Sequence, residues 1–95
     1  MLRSYETIFI VNSELDEEKR NATVTKFKEI IEKNAQLDKV DEWGTRKLAY
    51  PINYQKEGYY VLVNFKAEPE FITELERNYR ITDDIIKSIV INKEV

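Results

Sequence analysis

Residues 59–91 read YYVLVNFKAEPEFITELERNYRITDDIIKSIVI, and their patterning decides the fold. From Tyr59 to Ala67, Tyr59, Val61, Val63 and Phe65 alternate with Tyr60, Leu62, Asn64 and Lys66, the two-residue period of a strand. Pro69 then suits the first turn of a helix, where its missing N–H has no partner to lose. Phe71 or Ile72, Leu75 and Tyr79 recur at helical spacing and give that helix one apolar stripe. Thr82-Asp83-Asp84 makes a polar turn, and IIKSIVI over 85–91 returns as a strand rich in β-branched residues. Strand, helix and strand in this order form one half of a fold.

The N-terminal half repeats the plan. YETIFIV over 5–11 predicts a strand with Tyr5, Thr7, Phe9 and Val11 on one face and Ile8 and Ile10 on the other. Apolar residues on both faces place it centrally, with at least partial cover on each side. Asn12-Ser13 offers helix caps, and Glu14, Asp16, Glu17 and Glu18 suit a helix N-terminus, where the macrodipole favours carboxylates. Val24, Phe27, Ile30 and Ile31 carry that helix to about Asn34. A strand over Leu37–Trp43 follows, with Gly44 free to bulge or twist, and Leu48–Ile52 continues extended. Pro51 cannot donate a ladder hydrogen bond and belongs at a sheet edge or strand end. Asn53 to Gly58 is polar and reads as a turn. The order is β-α-β-β-α-β, an α+β, ferredoxin-like (split βαβ) arrangement with two helices on one face of a four-stranded antiparallel sheet.

Bulk composition limits the functions open to such a domain. Ninety-five residues with 42% hydrophobic content build one core and one domain spanning 1–95. The N-terminus has no signal-peptide pattern, no apolar run spans a bilayer, and the lack of cysteine suits a reducing cytoplasm. With no histidine, the usual neutral-pH base and the commonest transition-metal ligand are missing. The clusters Glu14-Asp16-Glu17-Glu18 and Asp83-Asp84 are explained by caps and helix first turns. Two isolated glycines cannot make a phosphate-cradling loop. The expectation is a non-enzyme without cofactor or metal.

Charge distribution points elsewhere. The net charge is -3, yet Gly44 to Lys56 holds Arg46, Lys47 and Lys56 and no acid. Arg77, Arg80, Lys87 and Lys93 add cations toward the last strand, and Arg3 marks the first. Acids gather in the first helix and over Asp38–Glu42. Such polarity lets one face meet phosphates while another stays solvated or holds a basic partner. The segment KEGYYVLVNF is reminiscent of an RNA-recognition-motif strand, but its aromatics fall out of that motif's register.

WGTRKLAYPI over 43–52 resembles the signature of the bacterial small-subunit ribosomal protein S-six (S6) family: glycine, a basic pair, Leu-Ala-Tyr, then Ile two positions on. RSYETIFIV resembles the family's opening strand, EGYYVLVNF its third, and RITDDIIKSIVI its fourth-strand region, so the likeness covers essentially the whole chain. The resemblance implies the split βαβ fold and a structural role in the cytoplasmic ribosome. It also implies binding to small-subunit (16S) ribosomal RNA together with a small basic partner, ribosomal protein S-eighteen (S18). Many relatives have two arginines where this chain has Arg46-Lys47, and some carry a longer acidic tail. On this reading Arg3, Arg46, Lys47, Lys56, Arg80 and Lys87 are candidates for RNA contact. Trp43, Tyr50 and Tyr60 are candidates for contact with the partner protein, with Trp43, Leu48 and Tyr50 able alternatively to anchor the second strand in the fold.

Three rivals share the topology. A small-molecule regulatory domain needs glycine-bearing loops that this chain lacks. An acylphosphatase-type hydrolase needs a phosphate-binding first loop, where NSELDEE would repel the anion. A free-standing RNA-recognition motif is opposed by the register of its aromatics.

Overall fold

A computed structural model describes the backbone of residues 2–52 and 55–93, and the side chains of these residues except 49–52 and 55. Six elements follow in the expected order: β1 (Arg3–Asn12), α1 (Glu17–Asn34), β2 (Gln36–Ile52), β3 (Gln55–Ala67), α2 (Pro69–Ile81) and β4 (Ile85–Asn92). The strands form one antiparallel sheet in the order β2-β3-β1-β4. β1 and β3 are therefore central and β2 is an edge, a location that suits Pro51.

Both helices lie on one face of this sheet. Val24, Phe27 and Ile31 of α1 and Phe71, Leu75 and Tyr79 of α2 are buried against Tyr5, Phe9 and Val11 of β1 and Val61, Val63 and Phe65 of β3. The alternation in β1 and β3 explains this, because a two-residue period puts those side chains on the same face. The rings of Phe9, Phe27 and Tyr79 form a triangle in the core, with Phe9 5.5 Å from each of the other two and Phe27 4.7 Å from Tyr79 between centroids. Pro69 opens α2 as expected.

The boundaries depart from the sequence reading where tertiary contacts outweigh local signals. Asp16, not Asn12-Ser13, caps α1, accepting the Lys19 N–H at 2.8 Å. Asn12 instead closes the preceding turn, accepting from Glu14 N at 2.8 Å, while Leu15 packs on the core just ahead of the cap. The extra turn brings the chain from the sheet up to the helix layer before α1 begins. Ile30 is only partly buried, at the margin of the stripe.

The two extended segments of the second strand are one strand, continuous through Gly44. Gly58 is not in a turn: it lies inside β3, buried and paired with both Asn12 and Arg46. A Cβ there would collide with Ile10 Cγ2, so this glycine permits close approach of the neighbouring strand's side chain. Asn53 and Tyr54 lie outside the described residues.

Candidate nucleic-acid and partner interface

The sheet face away from the helices carries the candidate site. On it, Ile8 and Ile10 of β1 lie beside Tyr60 of β3 and Ile89 of β4, and with Trp43, Lys87 and Ser88 they line a depression of about 200 Å³. Ile89 and Ile91 are each 43% exposed and Trp43 39%, so apolar surface here meets solvent. The expected partial cover of Ile8 and Ile10 comes from neighbours in the sheet: Ile10 is buried and Ile8 half-buried.

A β-bulge shapes the second strand here. Glu42 pairs with Val61 and Gly44 with Tyr60, so Trp43 is an extra residue in the ladder. Gly44 takes φ +85, in the left-handed region that glycine enters without a Cβ penalty. Trp43 thereby stacks over Tyr60, with ring centroids 6.1 Å apart and planes 15° apart. Its indole N–H donates to Asp41 Oδ2 at 3.2 Å. The Arg46 guanidinium stands 6.0 Å from the Trp43 ring, within cation–π reach.

Alternation sorts the charges. Lys39, Arg46, Lys56, Lys66 and Lys87 fall on the open face by register, and Lys93 joins them through a 3.1 Å hydrogen bond to Asn64 Oδ1. Among the described strand residues whose ladder pairing gives their face, only Glu6 and Asp41 bring acids to it. The face is net positive although the chain is net -3, so the negative balance lies on the helix side and the loops.

The sequence candidates do not all converge. Arg46, Lys56, Lys87, Trp43 and Tyr60 share the open face. Lys47 has the opposite parity, across from Glu57, and points to the helix side. Arg3 pairs with Ala67 while Asn12 pairs with Gly58, the partner of Arg46, so Arg3 lies at the far end of the sheet from Arg46, about 30 Å along the strands at ~3.4 Å per residue. Arg80, in the last turn of α2, is on the helix side; with Glu76, Tyr79 and Lys87 it lines a separate cleft of about 290 Å³ against β4. The side chain of Tyr50 lies outside the described residues.

Sequence reasoning missed the support behind the bulge. Glu42, facing the helices, accepts from the Tyr59 hydroxyl at 2.8 Å through one carboxylate oxygen and from Lys28 of α1 at 3.0 Å through the other. The Arg20 guanidinium lies 4.3 Å above the Tyr59 ring. The Tyr59 hydrogen bond and then Lys28 hold the Glu42 carboxyl below its ordinary pKa of 4.5, and burial followed by the Glu42 contact raises that of Tyr59. Tyr59 appears in the sequence only as one more alternating apolar residue, so nothing local announces the tie. Among the described residues no group of three or more acidic, histidine or cysteine side chains could hold a metal, and no helix is long and apolar enough to cross a membrane.

Comparison with known proteins agrees with this architecture. The family model for ribosomal protein S6 matches residues 4–92. The small ribosomal subunit protein bS6 of Clostridium novyi (strain NT) is 56% identical over 94 residues, covering 98% of this chain and 99% of the relative. That of Caldanaerobacter subterraneus subsp. tengcongensis is 46% identical over 94 residues, with the same coverage of 98% and 99%. The crystal structure of 30S ribosomal protein S6 from Thermotoga maritima superposes with a TM-score of 0.93 at 35% identity, over 99% of this chain and 90% of that one. The ferredoxin-like sheet, its order of elements and near-full-length likeness lead to one conclusion: the chain belongs to the bacterial ribosomal protein S6 family, a component of the small ribosomal subunit in the cytoplasm.

Proposed function

We propose that this chain is a structural, non-catalytic element that binds small-subunit (16S) ribosomal RNA jointly with the basic partner S18, using the open face of its sheet. The observation that carries this reading is the composition of that face: an aromatic and aliphatic centre around Trp43, Tyr60 and Ile89, with Arg46, Lys56 and Lys87 around it. The apolar centre suits a protein segment, since exposed apolar patches mark interaction sites. The surrounding cations suit phosphates, whose neutralisation releases counterions. The acidic remainder of the molecule limits what it can do alone, and a basic partner supplies further phosphate neutralisation. Arg3, Arg80 and Lys47, being off this face, contact RNA only where the complex wraps around the domain.

The test is RNA affinity as a function of salt, with and without purified S18. Binding is expected to be weak alone and tight and salt-dependent with the partner. Trp43→Ala should lower assembly with the partner, and Lys87→Gln should flatten the salt dependence. Equal RNA affinity with and without the partner would overturn the division of labour.

A further inference from the structure

The bulge at Trp43 decides which of two adjacent cations reaches the open face. In an uninterrupted ladder the face that carries Trp43 would next carry Thr45 and then Lys47, with Arg46 turned to the helix side. The extra residue shifts the register by one, so Gly44 pairs with Tyr60, Thr45 with Tyr59 and Arg46 with Gly58. Arg46 therefore lies on the face that carries Trp43, its guanidinium beside the indole, and opposite Gly58. Lys47 lies opposite Glu57, whose charge offsets its own. The two cations differ in chemistry as well: a guanidinium can hold phosphate through two parallel hydrogen bonds, and an ammonium cannot.

A bulge must be held in place, because a single-residue slip would exchange the faces. Gly44 makes it possible, and the residue on the other side of Trp43 is tied down. Glu42 has both carboxylate oxygens engaged, one by Tyr59 of the neighbouring strand and the other by Lys28 of α1. We infer that Glu42 is a positioning residue: its tie to Tyr59 and Lys28 fixes the bulge register that sets Arg46, and not Lys47, beside Trp43 as the RNA-contacting cation. This rests on the open face being the binding surface.

Charge alone and positioning give opposite signs, which makes the test sharp. Removing an acid from a protein that binds a polyanion should tighten binding if Glu42 is only a surface charge. If it positions Arg46, Glu42→Ala should weaken binding to small-subunit RNA in the presence of S18. The charge-neutral Tyr59→Phe should weaken it in the same direction by about two- to tenfold, the loss of one supporting hydrogen bond. Both variants should also alter the emission and acrylamide quenching of Trp43, the chain's single tryptophan, in the free protein. Arg46→Gln should lower affinity and reduce the salt slope by about one, while Lys47→Gln leaves both near wild type. Equal losses for Arg46→Gln and Lys47→Gln, or tighter binding by Glu42→Ala, would overturn the inference and leave the binding face standing. No loss for Arg46→Gln would overturn the assignment of the face itself. Circular dichroism and denaturant titration of each variant confirm that affinities are compared among folded proteins.

Discussion

Tyr79 of α2 donates its hydroxyl proton to Thr7 Oγ1 of β1 at 3.0 Å, inside the core. The direction follows from the second bond of the threonine, whose only hydroxyl proton goes to the Ile89 carbonyl of β4 at 2.9 Å. One chain of hydrogen bonds thus joins a helix to the central strand and that strand to the edge. Burial pushes the Tyr79 hydroxyl well above the ordinary tyrosine pKa, against a smaller opposing effect of Thr7, so it stays a neutral donor.

The two ends of this chain should respond unequally to mutation. Tyr79→Phe removes a donor but leaves Thr7 bonded to Ile89, and should cost about 0.5–1.5 kcal/mol. Thr7→Val leaves the buried Tyr79 hydroxyl without its partner and removes the Thr7 bond to the Ile89 carbonyl, and should cost about 1–3 kcal/mol. Denaturant titration of the two variants ranks them. A larger loss for Tyr79→Phe would show that packing, not hydrogen bonding, dominates at this contact.

The Glu42 tie should weaken in acid. Its folded pKa lies below the ordinary 4.5, so the unfolded chain binds that proton more readily. The stability it contributes is fully present above the unfolded value and is lost as pH falls through the lowered folded value. Comparing wild type with Tyr59→Phe by denaturant titration and Trp43 emission tests this. The difference between them should be constant at neutral pH and shrink in acid, because protonation of Glu42 removes the interaction that the variant already lacks. Lys28 and Arg20, which also face Glu42, lower its pKa in the same direction as the Tyr59 hydrogen bond.

Side-chain periodicity makes the architecture legible in the sequence. Val61, Val63 and Phe65 on one strand, and Leu75 and Tyr79 on one helix, all turn inward as their spacing requires. The bulge was partly legible too, since the spacing of Leu37, Val40 and Trp43 breaks strict alternation and Gly44 after them allows a bulge or twist. Gly58 misled for the converse reason: a polar neighbourhood made it resemble a turn, whereas its role depends on Ile10, distant in sequence and adjacent in the sheet. The candidate site was legible as residue types and not as faces. Arg46 and Lys47 are neighbours in sequence, and only the phase of the bulge separates them. The Glu42–Tyr59–Lys28 tie joins three elements, and no local pattern encodes such a contact.

Substituting the basic pair should separate charge from fold. Arg46 and Lys47 are both exposed, and exposed cations contribute roughly 0–1 kcal/mol. The double change to Ala should leave the melting temperature nearly unchanged while RNA binding falls at moderate salt. Extensive unfolding with normal RNA binding would show that the pair serves structure instead.

Among the helix-stripe residues, the cost of truncation should follow burial and not spacing. Phe27 and Leu75 are fully buried, and Phe27→Ala should cost about 3–5 kcal/mol and Leu75→Ala about 2–5 kcal/mol through lost transfer energy and a residual cavity. Ile30 shares the helical spacing but is only partly buried, so Ile30→Ala should cost less than either. In a small domain holding ~5–15 kcal/mol, the first two changes are severe and the third tolerable. RNA affinity of the folded fraction should remain normal, because all three side chains lie on the helix side. Loss of assembly by a stable Leu75→Ala variant would place that residue on a partner surface.

The two glycines should fail in distinguishable ways. At Gly44 a Cβ meets nothing within 4 Å, but φ is +85, so Gly44→Ala should cost about 1–2 kcal/mol in backbone strain alone. At Gly58 the added Cβ collides with Ile10 Cγ2 and comes within 3.4 Å of Ile86 Cδ1 and 3.6 Å of Leu48 Cδ2. Ile10 is buried and β-branched, hence stiff about its first torsion, so it cannot turn aside cheaply. Gly58→Ala should therefore cost about 1–3 kcal/mol by overpacking. A double-mutant cycle with Ile10→Ala, which removes the colliding methyl, separates the mechanisms. The cost of Gly58→Ala should fall by at least ~0.5 kcal/mol in that background, a coupling characteristic of residues in contact. The cost of Gly44→Ala should be the same in both backgrounds, since no side chain opposes its new methyl. If Gly58→Ala were equally costly with and without Ile10, close packing would not explain the glycine, and its backbone freedom would be what the strand requires.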